Sequence, residues 1–270
     1  PRKSSSITVT DLFCGAGGSS LGASWTGVEI ALAMNHWQRA VDTHNRNFPN
    51  TKHDCTDISA ADPRRYPSTR ILIGSPECTN HSLAKGVRRK DAHYVKNLFG
   101  DWEIDPAEER SRATMWDIVR FTEYHQYEIV IVENVVDARR WVLFEPWLQA
   151  MHSLGYEHEC VYLNSMFAHP TPQSRDRMYV VFWKRGNKRP NLHIEPRAYC
   201  DHCGKHVDAV QSWKNLRKQY GKYGKRNQYI YCCPVCRQEV QPYYFAAANA
   251  IDWTILGERI GDRKMPLKPR

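Results

Sequence analysis

The sequence predicts an α/β protein with a mostly parallel sheet covered on both faces, followed by a small four-cysteine module. Short apolar runs alternate with helical patterns as far as residue 183, which is typical of parallel strands joined by helices. Two Cys-x2-Cys pairs then follow in a chain of 270 residues, a length that suits one large domain plus a module. We predict a sheet domain over residues 1–190, a cysteine module over 191–245, and a final segment over 246–270 that leads to a further region.

The composition excludes several classes of protein. Hydrophobic residues form 41% and charged residues 25% of the chain, which is a balance typical of globular domains in water. No apolar run reaches the ~18 residues of a membrane span, and the first residues carry no signal-peptide core. The clustering of several of the nine cysteines favours a reducing compartment over a disulfide framework. We therefore expect a cytoplasmic protein without a membrane partner, and its oligomeric state stays open.

The positive charge is concentrated in one segment. Lys184 to Tyr229 holds twelve Lys and Arg residues against three Asp and Glu, which equals the net charge of +9 of the whole chain. A localised basic field favours a polyanionic partner, and nucleic acid is the first candidate. A solvated basic face without a partner is the alternative.

A glycine-rich turn follows the first predicted strand, over residues 7–13, and opens a helix. Glycines at such a turn allow close approach of a ligand to the backbone and to the free N–H groups of the helix. The spacing does not match a phosphate-binding P-loop, and a merely tight turn is the alternative. A second strand over 28–34 ends at His36 and Trp37, and a helix is predicted over 38–47. Trp37 is either a stacking surface for a base or a core residue.

Two further predicted strands are followed by polar residues that could take part in catalysis. The apolar run 71–73 leads into a loop that places Cys78 among small polar residues, so Cys78 is either a nucleophile or an inert thiol. The strand over 128–132 ends at Glu133, which is a candidate acid or base, or a structural ion-pair partner. The charged segment 85–110 between them is predicted to be a mobile surface loop that closes over a substrate.

The clustered cysteines predict a structural zinc site. Cys200 and Cys203 form one pair, Cys233 and Cys236 form the other, and 29 residues separate the pairs. Four thiolates at this spacing give tetrahedral coordination with no open position, so the metal is structural rather than catalytic. Cys232 offers an alternative register, but only Cys233 keeps the two-residue gap. Basic and aromatic residues lie between the pairs and suit contact with a nucleic acid, or alternatively form the core of the module.

Four motifs in order resemble the DNA (cytosine-5) methyltransferase family. They are DLFCGAGG at 11–18, GSPEC at 74–78 with a serine at 82, ENV at 133–135, and QxRxR at 173–177. The resemblance covers residues 7–183 and implies a Rossmann-like, S-adenosylmethionine-dependent methyltransferase sheet. It implies double-stranded DNA as partner, restriction-modification in a prokaryotic or phage-like context, and flipping of the target base out of the duplex.

The resemblance also implies site residues and their roles. Cys78 would add to C6 of cytosine, Glu133 would bind N3 and the exocyclic amine, and Arg177 would reach O2. Arg175 would support the loop and the Glu133 carboxylate. The residues implied for the cofactor S-adenosylmethionine are Phe13, Gly15, Gly17, Gly18, His36, Trp37 and Asp54, with Asp57 as a rival to Asp54.

The chain departs from the family pattern at several positions. Glu77 replaces a proline that often precedes the nucleophile, and its charge would raise the pKa of Cys78. His36 stands where the family usually has the acid that binds the ribose. Only a faint trace of a later motif is visible at 249–250, so either a target-recognition region lies elsewhere or the zinc module substitutes for it. An RNA cytosine methyltransferase and a catalytically inactive DNA-binding homologue are the alternative functions.

Overall fold

A computed structural model describes most of the chain. It covers residues 6–76, 106–168 and 171–255, the backbone of 94–96 and 102–104, and the single positions 257, 259 and 262, with side chains left undescribed at 106–113. The predicted nucleophile Cys78 and its neighbour Glu77 lie outside the described residues, as does most of the segment 85–110.

The described residues form short strands and four α-helices. The strands are β1 (Thr8–Leu12), β2 (Glu29–Asn35), β3 (Lys52–Cys55), β4 (Ile71–Gly74), β5 (Tyr94–Lys96), β6 (Trp102–Ile104), β7 (Ile129–Asn134), β8 (Tyr156–Asn164), β9 (Asp176–Lys184), β10 (Arg197–Cys200), β11 (Lys205–Asp208), β12 (Val210–Trp213) and β13 (Tyr229–Cys232). The helices are α1 (Gly18–Ser24), α2 (Gln38–Asn47), α3 (Pro106–His125) and α4 (Phe144–Ser153).

Seven of these strands form the main sheet, and the predicted fold class is confirmed. Their order is β3-β2-β1-β4-β7-β9-β8. The first five strands in this order, β3, β2, β1, β4 and β7, pair in parallel, whereas β9 is antiparallel to both β7 and β8. The carboxyl ends of the parallel strands therefore meet at one edge, which is where ligands bind in open α/β sheets.

Helices cover both faces of the sheet, as predicted. On one face Leu12, Leu72 and Val130 pack in the main core together with Phe121 of α3 and Trp147 of α4, all of them fully buried. On the other face a smaller cluster contains Val9, Ile30 and Ile73, with Ala23 of α1 packed against it. Alternation of side chains along β4 and β7 divides their apolar residues between these two layers.

Two elements differ from the sequence prediction. Residues 52–55 form edge strand β3, which is not among the strands predicted from the sequence. An edge strand beside β2 needs few buried apolar residues, so its sequence carries little strand signal. Within the predicted loop 85–110, strands β5 and β6 pair antiparallel, and α3 already begins at Pro106. Proline suits the first position of a helix, and the Ala-Glu-Glu-Arg run that follows favours helix without apolar periodicity.

The cysteine module packs directly on the sheet. Its β10–β11 and β12–β13 ribbons are antiparallel. Gln211 of β12 donates a hydrogen bond to the Tyr162 carbonyl of β8 at 2.8 Å, and the Trp213 ring meets the Tyr162 ring edge-on at 5.7 Å. The main core therefore continues from the sheet into the module. The boundary at residue 190 stays a prediction.

None of the described helices combines the length and apolar character needed to cross a bilayer.

Candidate active site

An ion pair joins two of the predicted catalytic residues. Glu133 is the penultimate residue of β7, and Arg177 is the second residue of the antiparallel strand β9. Glu133 lies opposite Tyr179, so Arg177 is its diagonal neighbour on the same face of the sheet. The Nε atom of Arg177 lies 2.6 Å from Oε1 of Glu133, and the side chains are only 15% and 23% exposed. Because the pair is partly buried, water and salt screen its attraction less than that of an exposed ion pair.

The end of β7 is also linked to the start of the predicted nucleophile loop. Asn134 is buried, and its Nδ2 donates to the Pro76 carbonyl at 3.4 Å while its Oδ1 accepts from the N–H of Val135 at 2.8 Å. The N–H of Ser75 donates to the Leu12 carbonyl of β1 at 3.2 Å. The chain thus leaves β4 toward Cys78 between β1 and β7, beside the Glu133–Arg177 pair.

Gly74 ends β4 where α3 crosses closely. A Cβ atom at this position would lie 2.4 Å from Cδ1 of Ile118, and real Cβ atoms do not approach that closely. A glycine here lets α3 pack against the sheet directly below the nucleophile loop.

The glycine-rich turn after β1 has the predicted form. Phe13, Gly15 and Gly17 all have positive φ values, of 61°, 54° and 102°. The N–H of Gly17 donates to the Cys14 carbonyl at 3.0 Å, and Cys14 is itself held to Met34 of β2 at 3.1 Å. Helix α1 then begins at Gly18, so its first N–H groups face the same edge of the sheet as the nucleophile loop.

A buried polar chain supports this turn from below. The Ser20 hydroxyl donates to Oδ2 of Asp11 at 2.7 Å, and Nε2 of His44 lies 3.0 Å from the same hydroxyl oxygen. Nδ1 of His44 lies 2.8 Å from Nε2 of His53, so the His44 ring links Ser20 to His53. These contacts join residues from β1, α1, α2 and β3, so no local sequence pattern predicts them.

Burial shifts the proton affinities along this chain in opposite directions. Desolvation raises the pKa of Asp11 to about 7, although the hydrogen bonds from Ser20 lower it. Desolvation, followed by the neighbouring His53, lowers the pKa of His44 to about 4. Both groups therefore favour their neutral forms inside the protein.

The remaining residues implied for cofactor binding, His36, Trp37 and Asp54 with its rival Asp57, lie after the end of β2 and in or just after β3. Trp37 is 57% exposed, so it is not a core residue, and the Arg39 guanidinium lies 6.0 Å from the centre of its ring. Asp54 of β3 accepts a hydrogen bond from the Tyr66 hydroxyl at 2.7 Å. Asp57 instead accepts from the N–H of Ser59 at 3.0 Å and caps a short 3₁₀-helix. His36 is exposed just past the end of β2.

The structure gives the ion pair with Glu133 to Arg177 rather than to Arg175. The Arg175 side chain is exposed, whereas its backbone N–H donates to Oδ1 of Asn164 at 3.0 Å. Asn164 is buried and also donates to Ser174 at 2.9 Å. This asparagine, which the sequence analysis missed, fixes the chain entering β9 from the end of β8.

The four predicted zinc ligands converge. The Sγ atoms of Cys200, Cys203, Cys233 and Cys236 all lie within 4.8 Å of one another. The Cys200–Cys236 and Cys203–Cys233 sulfur separations are 3.5 and 4.0 Å, close to the ~3.8 Å expected around a tetrahedral Zn²⁺ with Zn–S bonds of ~2.3 Å. Cys232 is outside the cluster, so the structure favours the register with Cys233.

The protonation of these thiols is suited to a cation. Backbone N–H groups of Cys236 and Val235 lower the pKa of Cys233 to about 6, while the adjacent Cys236 thiol raises the pKa of Cys203 to about 12. Thiolates at these distances repel one another, so few of the four can be deprotonated at once. A divalent metal would neutralise the negative charge and allow all four to bind as thiolates. The residues present therefore fit a structural zinc ion.

Two solved structures with a similar fold are described as methyltransferases. A DNMT2 variant from Spodoptera frugiperda aligns with a TM-score of 0.53 at 16% identity, covering 69% of this chain and 53% of that one. A protein described as a DNA modification methyltransferase from an E. coli prophage aligns with a TM-score of 0.52 at 19% identity, covering 79% and 62%. At these identities the likeness defines the fold alone.

Sequence comparison defines the family. Residues 7–233 match the family of C-5 cytosine-specific DNA methylases, and the chain belongs to this family. The Type II methyltransferase M.HgiDI of Herpetosiphon aurantiacus is 30% identical over 180 residues, which is 66% of this chain. M1.HphI of Haemophilus parahaemolyticus is 29% identical over 195 residues, or 68% of this chain. The chain spans about half the length of these two relatives, 52% and 47%.

Proposed function

We propose that this chain carries the catalytic centre of a DNA cytosine-5 methyltransferase that acts on double-stranded DNA. The observation that supports this most strongly is the 2.6 Å Glu133–Arg177 ion pair beside the Pro76 backbone, from which the loop of Cys78 departs. A carboxylate and a guanidinium fixed side by side suit the polar edge of a cytosine, which carries donors and acceptors in one plane.

In this proposal the nucleophile and the ion pair act on opposite parts of the ring. The Cys78 thiolate adds to C6 and forms a carbon–sulfur bond, and the electrons of the C5–C6 double bond move to C5. Glu133 holds N3 and the exocyclic amine as N3 takes a proton, while Arg177 binds O2 and keeps the carboxylate in place. After methylation a base such as water takes the C5 proton, the electrons of that C–H bond re-form the C5–C6 double bond, and the C6–sulfur bond breaks to release the thiolate. The target base must leave the duplex for these contacts.

S-adenosylmethionine is the proposed methyl donor. When bound, it would supply an electrophilic methyl group to C5 and be left as the neutral thioether. Phe13, Gly15, Gly17 and Gly18 would hold it, because they form the turn between β1 and α1 at the edge of the sheet where the nucleophile loop begins. Trp37 would stack on the adenine. The carboxylate of Asp54, oriented by Tyr66, would accept from the exocyclic amine of the adenine.

Zinc is the proposed structural metal at Cys200, Cys203, Cys233 and Cys236. The sulfur separations support a closed tetrahedral site, and a closed site leaves no position for substrate. Its proposed role is to hold the module against β8 and β9.

Covalent trapping tests the proposed reaction. Long mixed-sequence duplex DNA in which 5-fluorocytosine replaces cytosine would be incubated with the protein and S-adenosylmethionine, then run on a denaturing gel. Fluorine at C5 cannot leave as a proton does, so the protein should stay attached to the DNA. Cys78→Ser should abolish the shifted band.

Two other outcomes would each overturn a part of the proposal. Adducts on fluorinated RNA but not on duplex DNA would assign the activity to RNA. DNA binding without any adduct would leave an inactive DNA-binding homologue in place of the enzyme.

A further inference from the structure

A basic cleft lies between the sheet and the cysteine module. Its volume is about 500 Å³, and one wall is the segment after β7 while the other is the loop between β12 and β13. Its lining includes Arg140, Lys214, Lys218, Tyr220, Lys222 and Asn227. Asp137 also lines it, but the Lys222 Nζ atom lies 2.9 Å from Oδ2 of Asp137 and neutralises that carboxylate. The remaining charge of the cleft is positive.

Two contacts fix this cleft beside the candidate active site. Lys222 pairs with Asp137, which lies four residues after Glu133, and the N–H of Tyr223 donates to Oδ1 of Asp176 at 2.9 Å. Asp176 directly precedes Arg177. Four residues span at most about 14 Å, so the module loop is joined to both chain segments that carry the Glu133–Arg177 pair.

The cations that line the cleft are available to a ligand. Lys218 and Arg140 are exposed, and in the part of the chain that is described neither forms an ion pair. Lys214 donates to the carbonyls of Gly224 and Lys225, which fixes its ammonium on the rim. The Arg139 guanidinium lies 5.9 Å from the centre of the Tyr220 ring, so that ring is also held in place.

We propose that this cleft binds the sugar-phosphate backbone of duplex DNA next to the flipped cytosine. The inference rests on the proposed function, because it places the DNA relative to Glu133. Lysine, arginine and amide side chains are the groups that contact phosphates, and the cleft offers a single aromatic ring among its lining residues, too few for a stacking surface for successive bases. The phosphates of a flipped nucleotide stay joined to its base through the sugar. If Glu133 holds the base, those phosphates lie close to Glu133, and the cations of the neighbouring cleft can contact them. The module then positions the duplex and does not read its sequence through this cleft.

The salt dependence of DNA binding tests the inference. The full chain would be titrated with a mixed-sequence duplex at several salt concentrations, as wild type, as Lys218→Gln and as Arg140→Gln. The slope of log K against log salt is negative, and each lost phosphate contact should make it less steep by about 0.9. The double variant Lys218→Gln with Arg140→Gln should make it less steep by about twice that amount. Lys188→Gln is a matched control, since it removes one exposed lysine outside the cleft.

The position of Lys188 makes this control informative. Strand β9 runs from Asp176 beside the site to Lys184 at the far end of the sheet, and the turn after it stays there, because Asn187 donates to the Lys184 carbonyl at 3.0 Å. At about 3.4 Å per residue, Lys184 is roughly 24 Å along the strand from Arg177. The Lys188→Gln slope should therefore equal that of the wild type.

The fluorocytosine trap separates failure of this inference from failure of the proposed function. Lys218→Gln and Arg140→Gln should still form the adduct at low salt, because neither touches the base. Unchanged slopes in variants that do form the adduct would overturn the phosphate role of the cleft. Reduced slopes for an RNA duplex but not for DNA would overturn the choice of DNA. Absence of the adduct in the wild type would count against the proposed function, while the slopes would still decide the role of the cleft.

Discussion

At the scale of single residues, the Glu133–Arg177 pair combines two properties that a site for a polar ring needs. The antiparallel register of β7 and β9 sets its geometry, so no flexible loop has to position the carboxylate. Partial burial keeps the two charges interacting strongly, while 15% and 23% exposure leaves access for a ligand. A pair held in this way is preorganised, which is the condition under which fixed charges contribute most to catalysis.

Glu133→Gln should therefore reduce the rate of adduct formation about 10²–10³-fold, a loss typical of removing one stabilising group from a preorganised site. The amide keeps the shape but lacks the negative charge that stabilises a protonated ring, and it leaves Arg177 without its partner. Single-turnover trapping on fluorinated DNA measures this rate. Glu128→Gln is the control, because the Arg70–Glu128 pair is exposed and lies at the other end of β7. Equal rates for Glu133→Gln and wild type would refute the role of the carboxylate.

Asp11 should make stability depend on pH in a defined direction. Burial raises its pKa from the ordinary 3.8 to about 7, so between these pH values the folded protein holds a proton that the unfolded chain has lost. The free energy of unfolding of the wild type minus that of Asp11→Asn should therefore fall as pH rises from about 4 to about 7. Urea unfolding of both proteins across this range measures the difference, and a difference that is constant with pH would contradict the burial argument. The comparison cancels His44, whose own pKa of about 4 contributes stability that rises with pH over about 4–6.5 in both proteins.

At the scale of elements, the turn between β1 and α1 depends on one glycine more than on its neighbours. Gly17 has a φ of 102°, and a Cβ atom there would lie 2.8 Å from Cε2 of Phe48 and 3.1 Å from Cδ2 of His44. A side chain would meet both a strained backbone and the ring that anchors the buried polar chain. The close approach of α2 to this turn is thus part of how the turn is held.

Gly17→Ala should destabilise the protein by about 1–3 kcal/mol, in line with strain at a left-handed position. Gly22→Ala is the matched control, because Gly22 lies within α1 and a Cβ atom there meets nothing within 4 Å. That control should be neutral or stabilising by up to about 1 kcal/mol. Denaturant midpoints of the two variants give the comparison, and equal midpoints would refute the strain argument.

The sequence predicted elements best where local pattern and tertiary role coincide. Helix α2 was predicted over 38–47 and occupies those residues, because its apolar period faces the sheet. Strand β3 was missed, since its pairing with β2 rather than its own composition makes it a strand. The early turns of α3 were missed for a similar reason, because favourable helix residues without apolar period resemble a charged loop.

Residues of the candidate site were likewise predicted where a local motif marks them and missed where only a tertiary contact does. Glu133 and Arg177 were found from motifs that sit at strand ends, and their mutual contact follows from the register of two strands. Tyr66, Asn164 and His44 were missed, because each acts through a partner on another element. No local spacing reports such contacts, and they appear only once the chain is folded.

At the scale of the whole molecule, the cysteine module and the sheet share a core. Phe167, which follows β8, is buried and packs edge-on against Tyr223 at 4.7 Å and Tyr231 at 5.5 Å. The Tyr223 N–H and the Lys222 ammonium add polar contacts to Asp176 and Asp137. Apolar packing of this kind resembles a domain interior more than a contact between independent domains. The proposed zinc site therefore belongs to a module that shares its core with the sheet carrying the candidate active site.

Metal removal should consequently destabilise the entire chain in one step. A zinc-stripped protein, and Cys236→Ser, should show a single calorimetric transition at lower temperature, because a site that binds only the folded state contributes its binding free energy to folding. Cys232→Ala should keep one bound zinc and a transition near that of the wild type, since Cys232 is outside the sulfur cluster. Metal analysis of the same samples confirms the occupancy. Two separated transitions, with the upper one at the wild-type temperature, would instead show that the module and the sheet unfold as independent domains. The module would then not stabilise the sheet that carries the candidate active site.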